Sequence, residues 1–199
     1  MKVKNWIQKK PITIRRAALL QEAIDLMKRH SIRHLPVIDE GELVGFITEG
    51  DIKQFFFPSM VEDISVHQVM VVKPVTIDAG ASIEEAARLI HKHKIGGLPV
   101  LKNGKLVGVI TASDLLSAFI QVMGLLTASS RIDVIIGKGG IEDVTRIINL
   151  HDCEIISVAT ESNAANSKVH YFRLEKCGDL ESVVSALKKA GHQVLSVMD

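Results

Sequence analysis

Apolar residues recur along this chain in two rhythms, and both rhythms appear twice. Leu20, Ile24 and Met27 fall on one face of a helix, and 63 residues later Ile83, Ala87 and Ile90 do the same. After each helix comes a short apolar run, Leu35-Pro36-Val37-Ile38 and then Leu98-Pro99-Val100-Leu101. Glu40-Gly41 and Asn103-Gly104 follow, turn pairs that tolerate positive φ and so predict hairpins. Return strands run from Leu43 to Ile47 and from Leu106 to Ile110. Each return strand ends in Thr-x-x-Asp, where a second helix is expected to start.

Sliding the chain on itself by 63 positions makes the duplication explicit. Residues 10–51 fall on 73–114 without a gap, and 20 of the 42 positions are identical. A β-α-β-β-α unit of this size buries only one face alone, so two copies are expected to pack sheet against sheet with pseudo-twofold symmetry. Repeat one is placed at about 1–57 and repeat two at about 64–126, one domain over 1–126. The segment 55–70 joins the copies through a Pro58-Ser59 break and a short apolar helix. The run "LLSAFIQVMGLL" (115–126) is apolar on more than one face, which predicts a helix either buried on both sides or, the favoured reading, at a subunit interface. Phe55-Phe56-Phe57 stands in the corresponding place of the first copy.

Residues 127–130, "TASS", read as a linker, and 131–199 leave the repeat. "RIDVII" predicts a strand and "IEDVTRIINL" a helix with Ile141, Val144 and Ile148 on one face. "EIISVAT" and "KVHYFRLE" predict two strands around the turn-rich "ESNAANS". A helix capped by Asp179 runs through Ala190, and "QVLSVM" is the last strand. The order βαββαβ is the split, ferredoxin-like pattern. The fold class is therefore α/β (α+β), a repeated pair plus a ferredoxin-like domain.

Composition narrows the function classes. Lys plus Arg number 24 and Asp plus Glu 23, a net charge of +1. No dominant attraction to nucleic acid or anionic membrane follows from that balance. Aromatic residues make up 4% of the chain, thin for a base-stacking surface. No apolar run is long enough to span a bilayer, and the first residues lack a secretory apolar core. Cys153 and Cys177 form neither a CxxC pair nor a metal spacing, and two cysteines are too few for a disulfide framework. The expectation is a soluble protein with reduced cysteines in the cytoplasm. Neither G-x-S-x-G nor HExxH occurs, so no enzyme is expected.

The residues "IRHLPVIDEGELVGFITEGDI" and "IGGLPVLKNGKLVGVITASDL" carry a resemblance to a tandem pair of CBS domains. Residues 131–199 resemble an ACT domain by element order. Together they resemble the CBS/ACT proteins of acetoin utilisation in bacteria. The resemblance implies a regulatory sensor of adenosine-containing ligands, of the AMP, ADP, ATP or S-adenosylmethionine class, with no catalytic cofactor and no metal. It implies one cleft joining Thr48 and Asp51 to Thr76, Ile95, Gly97 and Pro99. A second would join Thr111 and Asp114 to Thr13, Ile32, His34 and Pro36. In the family the Asp accepts from ribose hydroxyls and the Thr reaches a phosphate. A homodimer or higher homo-oligomer and a protein partner of unknown identity go with the same reading, without nucleic acid or membrane.

The chemistry stands without the family. A vicinal diol has two donors and a carboxylate accepts both. A helix N-terminus offers N–H groups to phosphate. Arg33 and His34 add positive charge in copy one, where copy two has Gly96-Gly97, so the clefts are expected to differ. The plainer reading of Thr-x-x-Asp is a capping box, with the acid in the first turn of a helix. His91 and His93 stand at i and i+2 on a helix and point apart, a poor metal pair. "GKGG" (137–140) lacks P-loop spacing; Gly139 and Gly140 form either a ligand loop of the ACT type or a turn.

Overall fold

The computed structural model describes residues 1–54, 64–162, 168–175 and 177–198. The expectations for Phe55 to Phe57, the Pro58-Ser59 break and most of the "ESNAANS" turn lie outside these residues. The chain forms two compact units, Met1–Leu116 and Ser117–Asp199.

In the first unit each repeat builds the same elements in the same register. Repeat one holds β2 (Ile14–Arg15), α1 (Leu20–His30), β3 (His34–Asp39), β4 (Glu42–Thr48) and α2 (Glu49–Lys53). Repeat two holds β6 (Ile77–Asp78), α4 (Ile83–His93), β7 (Gly97–Lys102), β8 (Lys105–Thr111) and α5 (Ala112–Val122), the last crossing into the second unit. Helix α1 buries Leu20, Ala23, Ile24 and Met27, as its period predicts. In α4 the buried positions are Ile83 and Ala86, so Ala87, expected on this face, turns outward. Both hairpins turn through paired positive φ, at Glu40 and Gly41 and at Asn103 and Gly104. The αL residues Ser31 and Lys94, which end α1 and α4, also keep the 63-residue spacing.

The copies exchange their lead-in strands, which the periodic pattern does not reveal. β1 (Gln8–Lys9), from the start of the chain, pairs with β8 of repeat two. β5 (Val71–Val72), preceding repeat two, pairs with β4 of repeat one. The sheets therefore run β2-β3-β4-β5 and β1-β8-β7-β6. Matching backbone bonds lock both crossings: Leu20 N–H to Ile64 O at 2.8 Å, and Ile83 N–H to Met1 O at 3.0 Å. Val66, in the short helix α3 (Val66–Val69), and Val3, in a 3-10 turn, are both fully buried. The repeat boundaries drawn from sequence thus give each copy a segment that serves the other copy's sheet.

The second unit contains β9 (Ser130–Ile135), α6 (Gly140–Leu150), β10 (Glu154–Ser162), β11 (Lys168–Glu175), α7 (Leu180–Lys189) and β12 (Gln193–Met198). The sheet order is β10-β11-β9-β12 and every pair is antiparallel, the ferredoxin-like arrangement. Its core gathers Ile132, Val134, Val144, Ile147, Ile148, Phe172, Leu174, Val183 and Leu187. Ile141, expected on the inner face of α6, is exposed, and Ile147 takes its place. Asp179 caps α7 by accepting from Ser182 N–H at 3.0 Å.

Two further expectations change. The helix of the "LLSAFIQVMGLL" run stops at Val122, with Gly124 at φ 67° in the turn beyond it. Leu116, Phe119, Val122, Leu125 and Leu126 are exposed. Cys153 and Cys177, expected as free thiols, form a disulfide with a Cα–Cα distance of 4.4 Å. They flank the open end of the β10–β11 hairpin, where Glu154 pairs with Glu175, so the hairpin brings together what the chain separates by 24 residues.

Candidate functional site

The Thr-x-x-Asp segments close as capping boxes. Thr48 donates from its backbone N–H and its hydroxyl to Asp51 Oδ2, at 2.8 and 2.7 Å, and Asp51 N–H returns a bond to Thr48 Oγ1 at 3.2 Å. Thr111 and Asp114 repeat this with distances of 2.7, 2.7 and 3.4 Å. All bonds that the boxes make to the acids go to Oδ2. A carboxylate oxygen has two lone-pair sites, so Oδ1 can accept both hydroxyls of a diol while Oδ2 caps the helix.

A cavity of about 500 Å³ opens between the repeats. Its wall holds Thr111, Ala112, Ser113 and Asp114 from the start of α5, with Gly96 and Val109 beside them. Repeat one contributes Ile32, Arg33 and His34 at the entry to β3, and Thr48 to Gly50 at the entry to α2. Gln8, Pro11 and Ile12, from the exchanged lead-in, line the same space. Of the second predicted set, Thr111, Asp114, Ile32 and His34 meet on this wall. Thr13 and Pro36 are not on it; Thr13 is half-buried before β2 and Pro36 is buried in β3. Of the first set, only Thr48 reaches this cavity. Asp51, Thr76, Ile95, Gly97 and Pro99 are off its wall, Gly97 and Pro99 being buried within β7. This cavity thus gathers most of the second predicted set and one residue of the first.

His34 marks a difference between the two repeats. Its ring stacks on Phe46, with centroids 5.8 Å apart and planes at 24°. A Cβ at residue 96 would lie 2.7 Å from His34 Nε2, so the ring occupies space that only glycine at 96 leaves open. Gly96-Gly97 is the counterpart of Arg33-His34 in the other repeat. Burial pushes the His34 pKa below its ordinary value, and Arg33 adds to this, while Asp51 and Asp114 pull the other way.

In the second unit, the predicted loop residues Gly139 and Gly140 adjoin a hydrogen-bonded knot. Asp143 bonds His192 Nε2 at 3.0 Å, and His192 Nδ1 accepts from Gly137 N–H at 3.0 Å. A Cβ on Gly139 would sit 2.6 Å from Asp143 Oδ2, and one on Gly137 2.3 Å from Gly191 O. Hydrogen bonds from Arg146 and then His192 hold the Asp143 carboxyl below its usual range. Asp143 and His192 escaped the sequence reading because their partners lie 49 and 55 residues away in the chain. Exposed His91 and His93 fall in the basic last turn of α4, where cations favour the helix dipole. Among the described residues no helix is long and apolar enough to cross a membrane.

Comparison with known proteins bears on the first unit. The CBS domain family matches residues 3–57 and 61–121. A CBS domain-containing protein of Dictyostelium discoideum is 38% identical over 134 residues, covering 61% of this chain and 92% of the relative. The L-aspartate semialdehyde sulfurtransferase of Methanocaldococcus jannaschii is 30% identical over 119 residues, 59% of this chain but 23% of the enzyme. Among solved structures, a CBS domain pair in complex with 5'-methylthioadenosine and S-adenosyl-L-methionine aligns with TM-score 0.56 and 30% identity. That alignment covers 60% of this chain and 95% of the other. AcuB of Vibrio cholerae, assigned to acetoin utilization, aligns with TM-score 0.56 and 31% identity over 63% of this chain and 95% of its own. The chain belongs to the CBS-domain family, as a tandem pair followed by a third, C-terminal sheet.

Proposed function

We propose that this protein is a regulatory sensor that binds an adenosine-containing ligand between its CBS repeats and passes the bound state to its C-terminal unit or to a protein partner. The observation that carries the reading is the 500 Å³ cavity on which Thr111, Asp114, Ile32 and His34 converge. Support comes from the related pair solved with 5'-methylthioadenosine and S-adenosyl-L-methionine. Asp114 Oδ1 takes the ribose hydroxyls, and Thr111 and the first N–H groups of α5 face a phosphate. Arg33 is the nearby permanent cation. The protein acts by binding, not by catalysis. To signal, the ligand must favour one arrangement of the repeats over another.

The C-terminal unit is read as an ACT-like dimerisation domain on its ferredoxin-like strand order. Its Gly139-Gly140 loop is read as a structural turn, since the adjoining Asp143 already bonds Arg146 and His192. The exposed apolar residues of α5 favour a homo-oligomer, and they also support a second reading, an interaction module that occupies a partner without sensing a ligand. A cytoplasmic location goes with the sensor reading; there the Cys153–Cys177 pair meets a reducing thiol pool.

Calorimetry against AMP, ATP and S-adenosylmethionine tests the proposal. Wild type is expected to bind at least one at micromolar level, and Asp114→Ala to lose more than tenfold in affinity, the effect of about 1.5–3 kcal/mol for a charge-assisted bond. Absence of binding at millimolar ligand, with the variant losing stability alone, would leave the interaction module standing.

A further inference from the structure

We infer that His34 couples binding to proton uptake, so that the cleft takes a proton from solvent along with an anionic adenosine ligand and none with an uncharged one. The inference rests on the reading given under Proposed function and names how that site is regulated and tuned.

The geometry singles out one histidine. His34 is the first residue of β3, in register with Thr48, and it stands on the cavity wall with Arg33. Its ring stacks on Phe46 and also lies close to the bare backbone of Gly96 and Gly97. Repeat two offers no equivalent group: Gly97 replaces His34 and Val109 replaces Phe46. The cleft therefore holds a single imidazole shared between two Thr-x-x-Asp boxes.

The charged groups around it come from three elements. Arg33 immediately precedes β3, Asp51 belongs to α2 and Asp114 to α5, and Glu49 is on the same cavity wall. Gly96, Gly97 and Phe46 bring no charge. Burial and Arg33 favour the neutral ring over the imidazolium, and the two aspartates oppose them without prevailing. The empty cleft near neutral pH thus presents a neutral ring.

A phosphate entering this space changes the balance. Its negative charge, brought near the ring on the same cavity wall, stabilises the imidazolium. The ring gains one proton, which comes from water or buffer, and no bond of the ligand changes. Binding that takes up a proton strengthens as pH falls, by up to tenfold per pH unit between the free and the bound pKa. An uncharged ligand with the same nucleoside leaves the ring neutral.

The test compares AMP with 5'-methylthioadenosine, which carries adenosine without phosphate. Calorimetry of the full chain at pH 7, in two buffers of different ionisation enthalpy, counts protons taken up per ligand bound. The AMP phosphate itself titrates near pH 6. His34→Gln reports the phosphate's own proton exchange beside an uncharged side chain, and the wild-type excess over it reports ring and phosphate titrating as a pair. The expected result is proton uptake with AMP that exceeds the His34→Gln value, and none with 5'-methylthioadenosine in either protein. The ratio of AMP affinities at pH 6 and pH 8 is expected to be about fivefold or more higher in wild type than in the variant. Binding of both ligands with the same proton count in wild type and variant overturns the inference and leaves the sensor reading intact. Should His34→Gln not fold, wild type alone decides, because AMP binding without net proton uptake overturns it equally. Failure of both ligands to bind wild type overturns the sensor reading and this inference with it.

Discussion

At the residue scale, Asp51 and Asp114 close the same capping box in two different settings. Their boxes match bond for bond, so Asp51→Ala and Asp114→Ala are expected to cost similar stability, about 0.5–2 kcal/mol each. Only Asp114 lines the cavity, so only its loss should abolish the rise in melting temperature with AMP. Thermal melts with and without ligand decide this, and equal loss in both variants contradicts the single-cleft assignment. His34 gives a second prediction. Burial and Arg33 lower its pKa in the folded protein, so the unfolded chain binds this proton first as pH falls. Its contribution is constant above the unfolded pKa of about 6.5, and stability is lost as pH drops below that toward the lowered folded value. Urea melts at pH 7.5 and 5.5 should show a smaller loss for His34→Gln than for wild type. A loss just as large in the variant removes His34 as its source. The role of Gly96-Gly97 was legible only in part. Sequence shows that the pair lacks charge; that its bare backbone makes room for a ring from the other repeat is a relation across the symmetry axis.

At the element scale, most of the fold was legible, because helices and hairpins announce themselves locally. The positive-φ pairs Glu40-Gly41 and Asn103-Gly104 and the apolar stripe of α1 appear where the pattern places them. The lead-in exchange was not legible, since β1 and β5 have two residues each and no period can be read from two residues. The 63-residue shift does continue upstream, with Val3 falling on Val66 and Ile7 on Met70. Those side chains do equivalent work: Ile7 packs over Gly108 and Met70 over Gly45, positions also 63 apart. Val3→Ala and Val66→Ala are therefore expected to destabilise by similar amounts, about 1–3 kcal/mol, despite Val3 being the third residue of the chain. Denaturant melts of the two variants check this, and a neutral Val3→Ala would mean that the first segment adds little to the sheet it joins. The disulfide escaped notice for a similar reason. Sequence separation says nothing about the β10–β11 register that places Cys153 beside Cys177.

At the scale of the whole molecule, the two units have separate cores and separate handles. The cavity between the repeats is lined entirely by residues within 8–114, and the Cys153–Cys177 bond lies entirely within the second unit. Exchange of lead-in strands ties the repeats together, so neither repeat can lose its sheet without stripping a strand from the other. Opening in the first unit should consequently involve both repeats at once. The disulfide closes a loop of 24 residues around the hairpin, a constraint worth about 3 kcal/mol in the chain-entropy account. Hydrogen exchange read by mass spectrometry can follow both handles in one sample. AMP is expected to slow exchange in residues 31–36 and 108–114 together, because the cavity wall draws on both repeats. A reductant is expected to speed exchange in 153–162 and 168–175, where the hairpin loses its covalent clasp. Slowing in one repeat alone would contradict a shared cleft. Acceleration by reductant spread evenly over residues 1–111 would contradict a clasp whose effect is confined to the unit that contains it.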